Sequence, residues 1–198
     1  MITDLDRIVG DFATALKAVD STGPQDRMKR YRPGVGPLTE ADAVKEALNY
    51  LKHSNPETYA SAAPRPYPGT QQKCDLVIPW AWAIEFKLIR PFGDNGKEAE
   101  HWSENILHPY KGNTSSIGDC LKLRDSAFRE RKAIIVLGFE HTPPVIDLEV
   151  AIKSFEVIAV QVVGINLSAR YSAEFTDLIH PYHQQGKVLG WEILQERI

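Results

Sequence analysis

The sequence predicts an α/β fold in three layers, α/β/α, with a central mixed sheet between two layers of helices. Amphipathic helical segments alternate along the chain with short segments rich in Val, Ile, Leu and Phe, and residues 133–139 are almost entirely apolar. A continuous apolar run is typical of a strand that is buried on both faces of its sheet. Helices are therefore expected on both sides.

Length and composition suit one globular domain. The chain has 198 residues, of which 43% are hydrophobic and 25% charged, which excludes a disordered or fibrous protein. No apolar run approaches the length of a membrane span, and the first residues are acidic where a secretory signal would be basic. We therefore expect a cytoplasmic protein. The net charge of −3 neither supports nor excludes a nucleic-acid partner.

The N-terminal segment predicts an amphipathic helix over about the first twenty residues, with Thr3 as its candidate N-cap. Its apolar residues recur at helical spacing: Leu5, Ile8, Val9, Phe12, Leu16 and Val19. Residues 21–38 are rich in Gly and Pro, which favours a loop. That loop is basic, since it carries Arg27, Lys29, Arg30 and Arg32.

A second helix is predicted to begin at Thr39. Its buried side is marked by Val44, Leu48 and Leu51. Glu40 lies one turn before Val44 on this side, whereas Glu46 falls on the solvent side. Of the two acids, we therefore expect Glu40 to face the sheet.

Two paired strands follow an extended connection. Residues 54–69 contain four prolines and a glycine, so we expect neither a helix nor a central strand there. Residues 73–79 and 83–89 are rich in Val, Ile, Leu and Phe and are joined by a short turn at Trp80. This pattern predicts two neighbouring antiparallel strands. Both Trp80 and Trp82 are expected to pack at the edge of the core.

The second half of the chain continues the alternation. A helix is predicted over about residues 115–129, a buried strand over 133–139 and a last strand over 186–194. Between these strands, a further helix is predicted after Pro144 from the spacing of Leu148, Ile152, Phe155 and Ala159. The pattern leaves residues 157–165 unassigned.

Charged residues on the paired strands predict a metal site. Because side chains alternate along a strand, Glu85 and Lys87 share one face, whereas Phe86 points to the other. A charged pair on a central strand is costly unless it meets a partner or an ion. Asp75 on the neighbouring strand could complete such a site. An internal salt bridge, with Asp75 at a strand start, is the alternative explanation.

The donor set suits a hard cation. Mg²⁺ prefers oxygen ligands and retains several waters, so the carboxylates of Asp75 and Glu85 and the backbone carbonyl of Phe86 could form its inner shell. Mn²⁺ is an alternative ion. Lys87 could orient the attacking water, or help to deprotonate it, and stabilise charge that develops at phosphorus.

These residues resemble the PD-(D/E)xK nuclease superfamily, which has an Asp on one strand, a hairpin, and Glu-x-Lys on the next strand. Asp75, Glu85 and Lys87 match this pattern, and the resemblance covers about residues 39–139. It implies a restriction-endonuclease-like core, extended by the N-terminal helix and by the last helix and strand, and metal-dependent hydrolysis of DNA. An early helix of the superfamily often supplies another Glu, a role that Glu40 could take.

The match to the superfamily has one departure, since Cys74 stands where a proline commonly precedes the first Asp. Glu40 also has a simpler explanation, because acids at helix N-termini are favoured by the helix dipole.

Contacts with DNA phosphates are expected from four basic residues: Lys122, Arg124, Arg30 and Arg32. A solvated, charged helix face is the more common explanation of such residues. Lys122 is the strongest of these candidates, since the helix after the hairpin often lies over the active site in the superfamily. No helix-turn-helix or zinc finger is evident, so loops, a homodimer or a partner protein would supply specificity.

Two other functions fit the same sequence. A non-catalytic nucleic-acid-binding or assembly protein could retain the nuclease fold, and another metal-dependent phosphoesterase could act on a small phosphate ester. The second would need a closed pocket rather than an open basic cleft.

Overall fold

The computed structural model describes residues 4–25, 32–109 and 115–194. The helices are α1 (Leu5–Asp20), α2 (Glu40–Ser54), α3 (Pro56–Tyr59), α4 (Glu104–Leu107), α5 (Ser116–Arg124) and α6 (Leu148–Val157), which continues into a π-helical turn (Ile158–Val162). The strands are β1 (Ala63–Pro66), β2 (Lys73–Ile78), β3 (Trp82–Ile89), β4 (Arg131–Glu140), β5 (Tyr171–Phe175) and β6 (Gln185–Ile193).

The strands form one open mixed sheet in the order β1-β2-β3-β4-β6-β5. β3 and β4 are parallel, and the other neighbouring pairs are antiparallel. The predicted antiparallel pair and the predicted central strand, β4, are both confirmed. β3 lies between β2 and β4, in the interior of the sheet. Its charged side chains, Glu85 and Lys87, are therefore buried.

Helices cover both faces of the sheet. On one face, Phe86 of β3 and Ile135 of β4 pack against Phe12 of α1 and residues of α2. On the other face, Val136 of β4 belongs to a second core cluster with residues of α5 and α6. Alternation along each strand divides its side chains between these two cores, which places Glu85 and Lys87 on the face that α5 and α6 cover.

Most predicted elements are present, with differences at the ends. Thr39 caps α2, and its hydroxyl accepts a hydrogen bond from the backbone N–H of Asp42. At α1 the N-cap is Asp4, and Thr3 lies outside the described residues. The predicted helix over residues 115–129 ends earlier, at Arg124. The ammonium of Lys132 donates hydrogen bonds to the carbonyl oxygens of Arg124, at the helix end, and of Ser126, beyond it.

The short helices α3 and α4 and the two outermost strands, β1 and β5, were not predicted. The expectation that residues 54–69 hold no helix is wrong at α3, which begins with Pro56, because proline is favoured in the first turn of a helix. β1 contains two prolines, which are tolerated because the strand lies at the sheet edge. β5 has only five residues at the opposite edge. Edge strands bury one face or neither, so their sequences lack the apolar signal of a central strand.

The two tryptophans of the β2–β3 turn have opposite environments. Trp82 is fully buried as the first residue of β3, and the guanidinium of Arg131 lies 4.1 Å from its ring centroid. Trp80 is 84% exposed, so the expectation that it packs on the core is wrong. It occupies the left-handed region at φ 65°, and this turn conformation directs its side chain away from the sheet.

Over the residues that the structure describes, none of the helices has both the length and the apolar character needed to cross a membrane.

Candidate functional site

The candidate site forms where β2 leaves β3. Their pairing runs from Ile78 opposite Trp82 to Leu76 opposite Ile84, and beyond this point side chains bind the backbone of β3.

Two carboxylates accept hydrogen bonds from the backbone of β3 beyond the end of its pairing with β2. Asp75 Oδ2 accepts a hydrogen bond of 2.8 Å from the N–H of Phe86. Glu40 Oε2 accepts one of 2.7 Å from the N–H of Leu88. Since a buried N–H without a partner is costly, both acids stabilise the strand edge. Glu40 therefore faces the sheet, as the periodicity of α2 predicts.

Lys87 is 8% exposed and lies among oxygen atoms. Its Nζ is 2.7 Å from Asp119 Oδ2, 3.4 Å from Glu40 Oε1 and 3.1 Å from the carbonyl oxygen of Phe86. Burial favours the neutral amine and lowers the pKa of Lys87, but the charges of Asp119 and Glu40 outweigh burial and raise that pKa overall. Lys87 is therefore held as a cation.

Glu85 is 2% exposed and is surrounded by one anion and two donors. The Tyr67 hydroxyl donates a hydrogen bond to Oε1, and the Lys122 Nζ lies 2.8 Å from the same atom. Burial, followed by a hydrogen bond to Asp75 and the charge of Asp75, raises the pKa of Glu85 to about 7, although Lys122 and Tyr67 oppose this shift. Near neutral pH, Glu85 is therefore present in both its protonated and its ionised form.

Asp119 on α5 connects the two lysines. Its Oδ1 lies 2.8 Å from the Nζ of Lys122, and its Oδ2 binds Lys87. Burial raises the pKa of Asp119 despite the opposing charge of Lys87. Asp119 was not among the predicted site residues, although its position three residues before Lys122 on one helix is a usable signal.

Tyr67 was also missed. It lies in the connection between β1 and β2, where its ring packs against Phe128 with the centroids 5.1 Å apart. The Nζ of Lys122 is 5.1 Å from the Tyr67 ring centroid. No local pattern marks this residue, because its contact with Glu85 depends on how the proline-rich connection turns into β2.

The predicted phosphate contacts separate in space. Lys122 is brought into the site by its contacts with Glu85 and Asp119. Arg124 is exposed and pairs with Asp125 at the end of α5. Arg32 is exposed in the loop before α2, and Arg30 lies outside the described residues.

The predicted metal ligands provide oxygen atoms of the kind that a divalent ion prefers. Among residues 4–25, 32–109 and 115–194 there is no group of three or more His, Cys, Asp or Glu side chains placed to hold a metal. The predicted set has only two such side chains, Asp75 and Glu85, which are close enough for the charge of Asp75 to raise the pKa of Glu85. Phe86 contributes its carbonyl oxygen on the same strand edge, since its N–H binds Asp75. Two carboxylates and one carbonyl fit Mg²⁺, which retains several waters.

Comparison of the chain with protein-family models, with curated proteins and with solved structures gave no match.

Proposed function

We propose that this protein is a divalent-metal-dependent endonuclease that hydrolyses DNA phosphodiester bonds and has a restriction-endonuclease-like fold. One observation carries the proposal: Asp75 and Glu85 meet at the edge of β3 beside the carbonyl of Phe86, with the buried ammonium of Lys87 on the same carbonyl. Metal ligands and a fixed cation together are what hydrolysis of a phosphodiester requires.

The order of elements supports the fold proposal. Helix α2 supplies Glu40, the β2–β3 hairpin supplies Asp75, Glu85 and Lys87, and α5 leads into the parallel strand β4. This is the order that the resemblance to the PD-(D/E)xK superfamily implies.

Each residue has a proposed role. Asp75, Glu85 and the carbonyl of Phe86 would hold Mg²⁺ or Mn²⁺, which when bound polarises a phosphate and acidifies an attacking water. Lys87, kept cationic by Asp119 and Glu40, would orient that water and stabilise negative charge at phosphorus. Glu40 positions Lys87 through their contact of 3.4 Å.

Binding of DNA would use the cations that remain near the site. Lys122 is partly exposed, so its ammonium is able to contact a phosphate without a movement of α5. Arg124, Arg32 and Arg30 are proposed as additional phosphate contacts. A homodimer or a partner protein would supply sequence specificity.

A second function, non-catalytic binding of nucleic acid or assembly, is favoured by a different observation. Glu85 and Lys87 are already neutralised by Lys122 and Asp119, as they would be in a structural ion-pair network. Under this alternative, removal of Lys87 would change stability and would alter no catalytic activity.

The test is DNA cleavage by the purified protein. Supercoiled and linear DNA are incubated with Mg²⁺, with Mn²⁺ and with chelator, and a small phosphate ester is included to detect a general phosphoesterase. We expect nicking or cutting of DNA that requires the metal and disappears in Lys87→Ala. Lys45→Ala, a change at an exposed lysine on α2, is the matched control and should cut normally. Absence of cutting in every condition would favour the binding protein, and turnover of the small ester alone would favour the phosphoesterase.

A further inference from the structure

The charged side chains of the site form a chain that alternates in sign. Each step is an ion pair: Glu40 with Lys87 at 3.4 Å, Lys87 with Asp119 at 2.7 Å, Asp119 with Lys122 at 2.8 Å, and Lys122 with Glu85 at 2.8 Å. Every neighbouring pair of carboxylates along these four steps is therefore separated by an ammonium group.

The alternation of carboxylate and ammonium groups ends at Glu85. Asp75 lies beside Glu85, since its Oδ2 accepts a hydrogen bond from the N–H of Phe86, the residue after Glu85. Within the part of the chain that the structure describes, no ion pair joins Asp75 to an ammonium group. When all four carboxylates are ionised, they carry four negative charges against the two positive charges of Lys87 and Lys122. The remaining two negative charges would be balanced by one divalent cation.

We infer that each chain binds one divalent ion, between Asp75 and Glu85, and that Lys122 fills the position that a second ion would need. This inference rests on the proposed function and defines its metal requirement.

The position of Lys122 excludes a second ion for a geometric reason. In two-metal sites the ions lie about 3.5–4 Å apart, so they commonly have a carboxylate in common. Glu85 is a ligand of the proposed first ion, and Lys122 links it to a further acid, Asp119. The Nζ of Lys122 already lies 2.8 Å from both of these groups. A second ion there would have to displace a partly buried ammonium that is paired with two carboxylates.

The experiment counts Mn²⁺ ions bound per chain at equilibrium, by electron paramagnetic resonance of free Mn²⁺ and by calorimetry, without DNA. The wild-type protein should bind one ion, and Asp75→Asn should bind none. Lys122→Met keeps the length of the side chain and removes its charge, so it should bind two ions. The double variant Lys122→Met, Asp119→Asn removes an anion from the opened position and should return to one ion. Lys45→Met controls for weak binding at the surface.

The outcomes separate this inference from the proposed function. Two ions on the wild-type protein, or one ion on folded Lys122→Met, would overturn the inference while a metal-dependent nuclease remained possible. No ion on the wild-type protein would overturn both. Thermal unfolding of each variant shows whether it is folded, and the wild-type count and the Asp75→Asn count stand even if Lys122→Met is not.

Discussion

Glu85 gives the sharpest prediction for stability, because it is a buried acid with a strongly shifted pKa. Its folded-state pKa is raised to about 7 from an ordinary value of 4.5, chiefly by burial. The folded protein therefore holds a proton on Glu85 over a pH range in which the unfolded chain has lost it. Stability from this group is fully present below pH 4.5, and it is lost as the pH rises to 7.

The magnitude follows from the size of the shift. A difference of one pKa unit corresponds to about 1.4 kcal/mol, so Glu85 should reduce the free energy of unfolding by about 3 kcal/mol between pH 4 and pH 8. The side chain is 3% exposed, so screening by solvent does not reduce this figure. Glu85→Gln cannot titrate, so the variant should lack this loss and should gain about 3 kcal/mol relative to wild type over the same range.

The assay is urea unfolding of metal-free wild-type and Glu85→Gln protein at several pH values. The informative quantity is the difference between the two free energies of unfolding, since other groups titrate in both proteins. His180, for example, has its pKa lowered to about 4, first by burial, which gives an opposite slope. Glu100→Gln, a change at an exposed acid, should give a flat difference. A flat difference for Glu85→Gln would refute the buried, protonated acid.

Two further variants test neighbouring contacts. Tyr67→Phe removes a hydrogen bond that lowers the pKa of Glu85. The pH range over which the variant loses stability should therefore shift upward, and the variant should be about 1–3 kcal/mol less stable than wild type at pH 8. A urea-unfolding profile with no shift in pH would contradict this expectation. Thr39→Ala removes the N-cap of α2 and should cost about 1 kcal/mol in urea unfolding, while Mn²⁺ binding stays at one ion. A change in the ion count would contradict an effect of the cap that is confined to α2.

Periodicity was sufficient to predict the parts of the fold that are buried. Strand β4 is apolar over most of its length, and the helical stripe of α2 placed Glu40 correctly toward the sheet. The pair Glu85 and Lys87 was recognisable because two charged side chains on a buried central strand are costly unless they meet a partner or an ion. In each case a side chain's environment is fixed by regular geometry within one element.

Contacts between distant elements could not be predicted in this way. Tyr67 reaches Glu85 because a proline-rich connection happens to end beside β3, and no period in the sequence encodes that turn. Asp119 was overlooked because an acid in the first turn of a helix is common on dipole grounds alone. Trp80 was expected to pack like Trp82, yet the turn gives it a left-handed backbone conformation and leaves it 84% exposed.

The backbone contacts of the site affect how its variants should be designed. Asp75 and Glu40 each bind an N–H of β3 that would otherwise lack a strand partner. Alanine at either position removes that acceptor as well as the negative charge, so lost activity could reflect a displaced strand rather than a missing ligand. Asparagine at Asp75 and glutamine at Glu40 keep an acceptor oxygen at the same reach. These amide variants separate the electrostatic role of each acid from its role in holding β3.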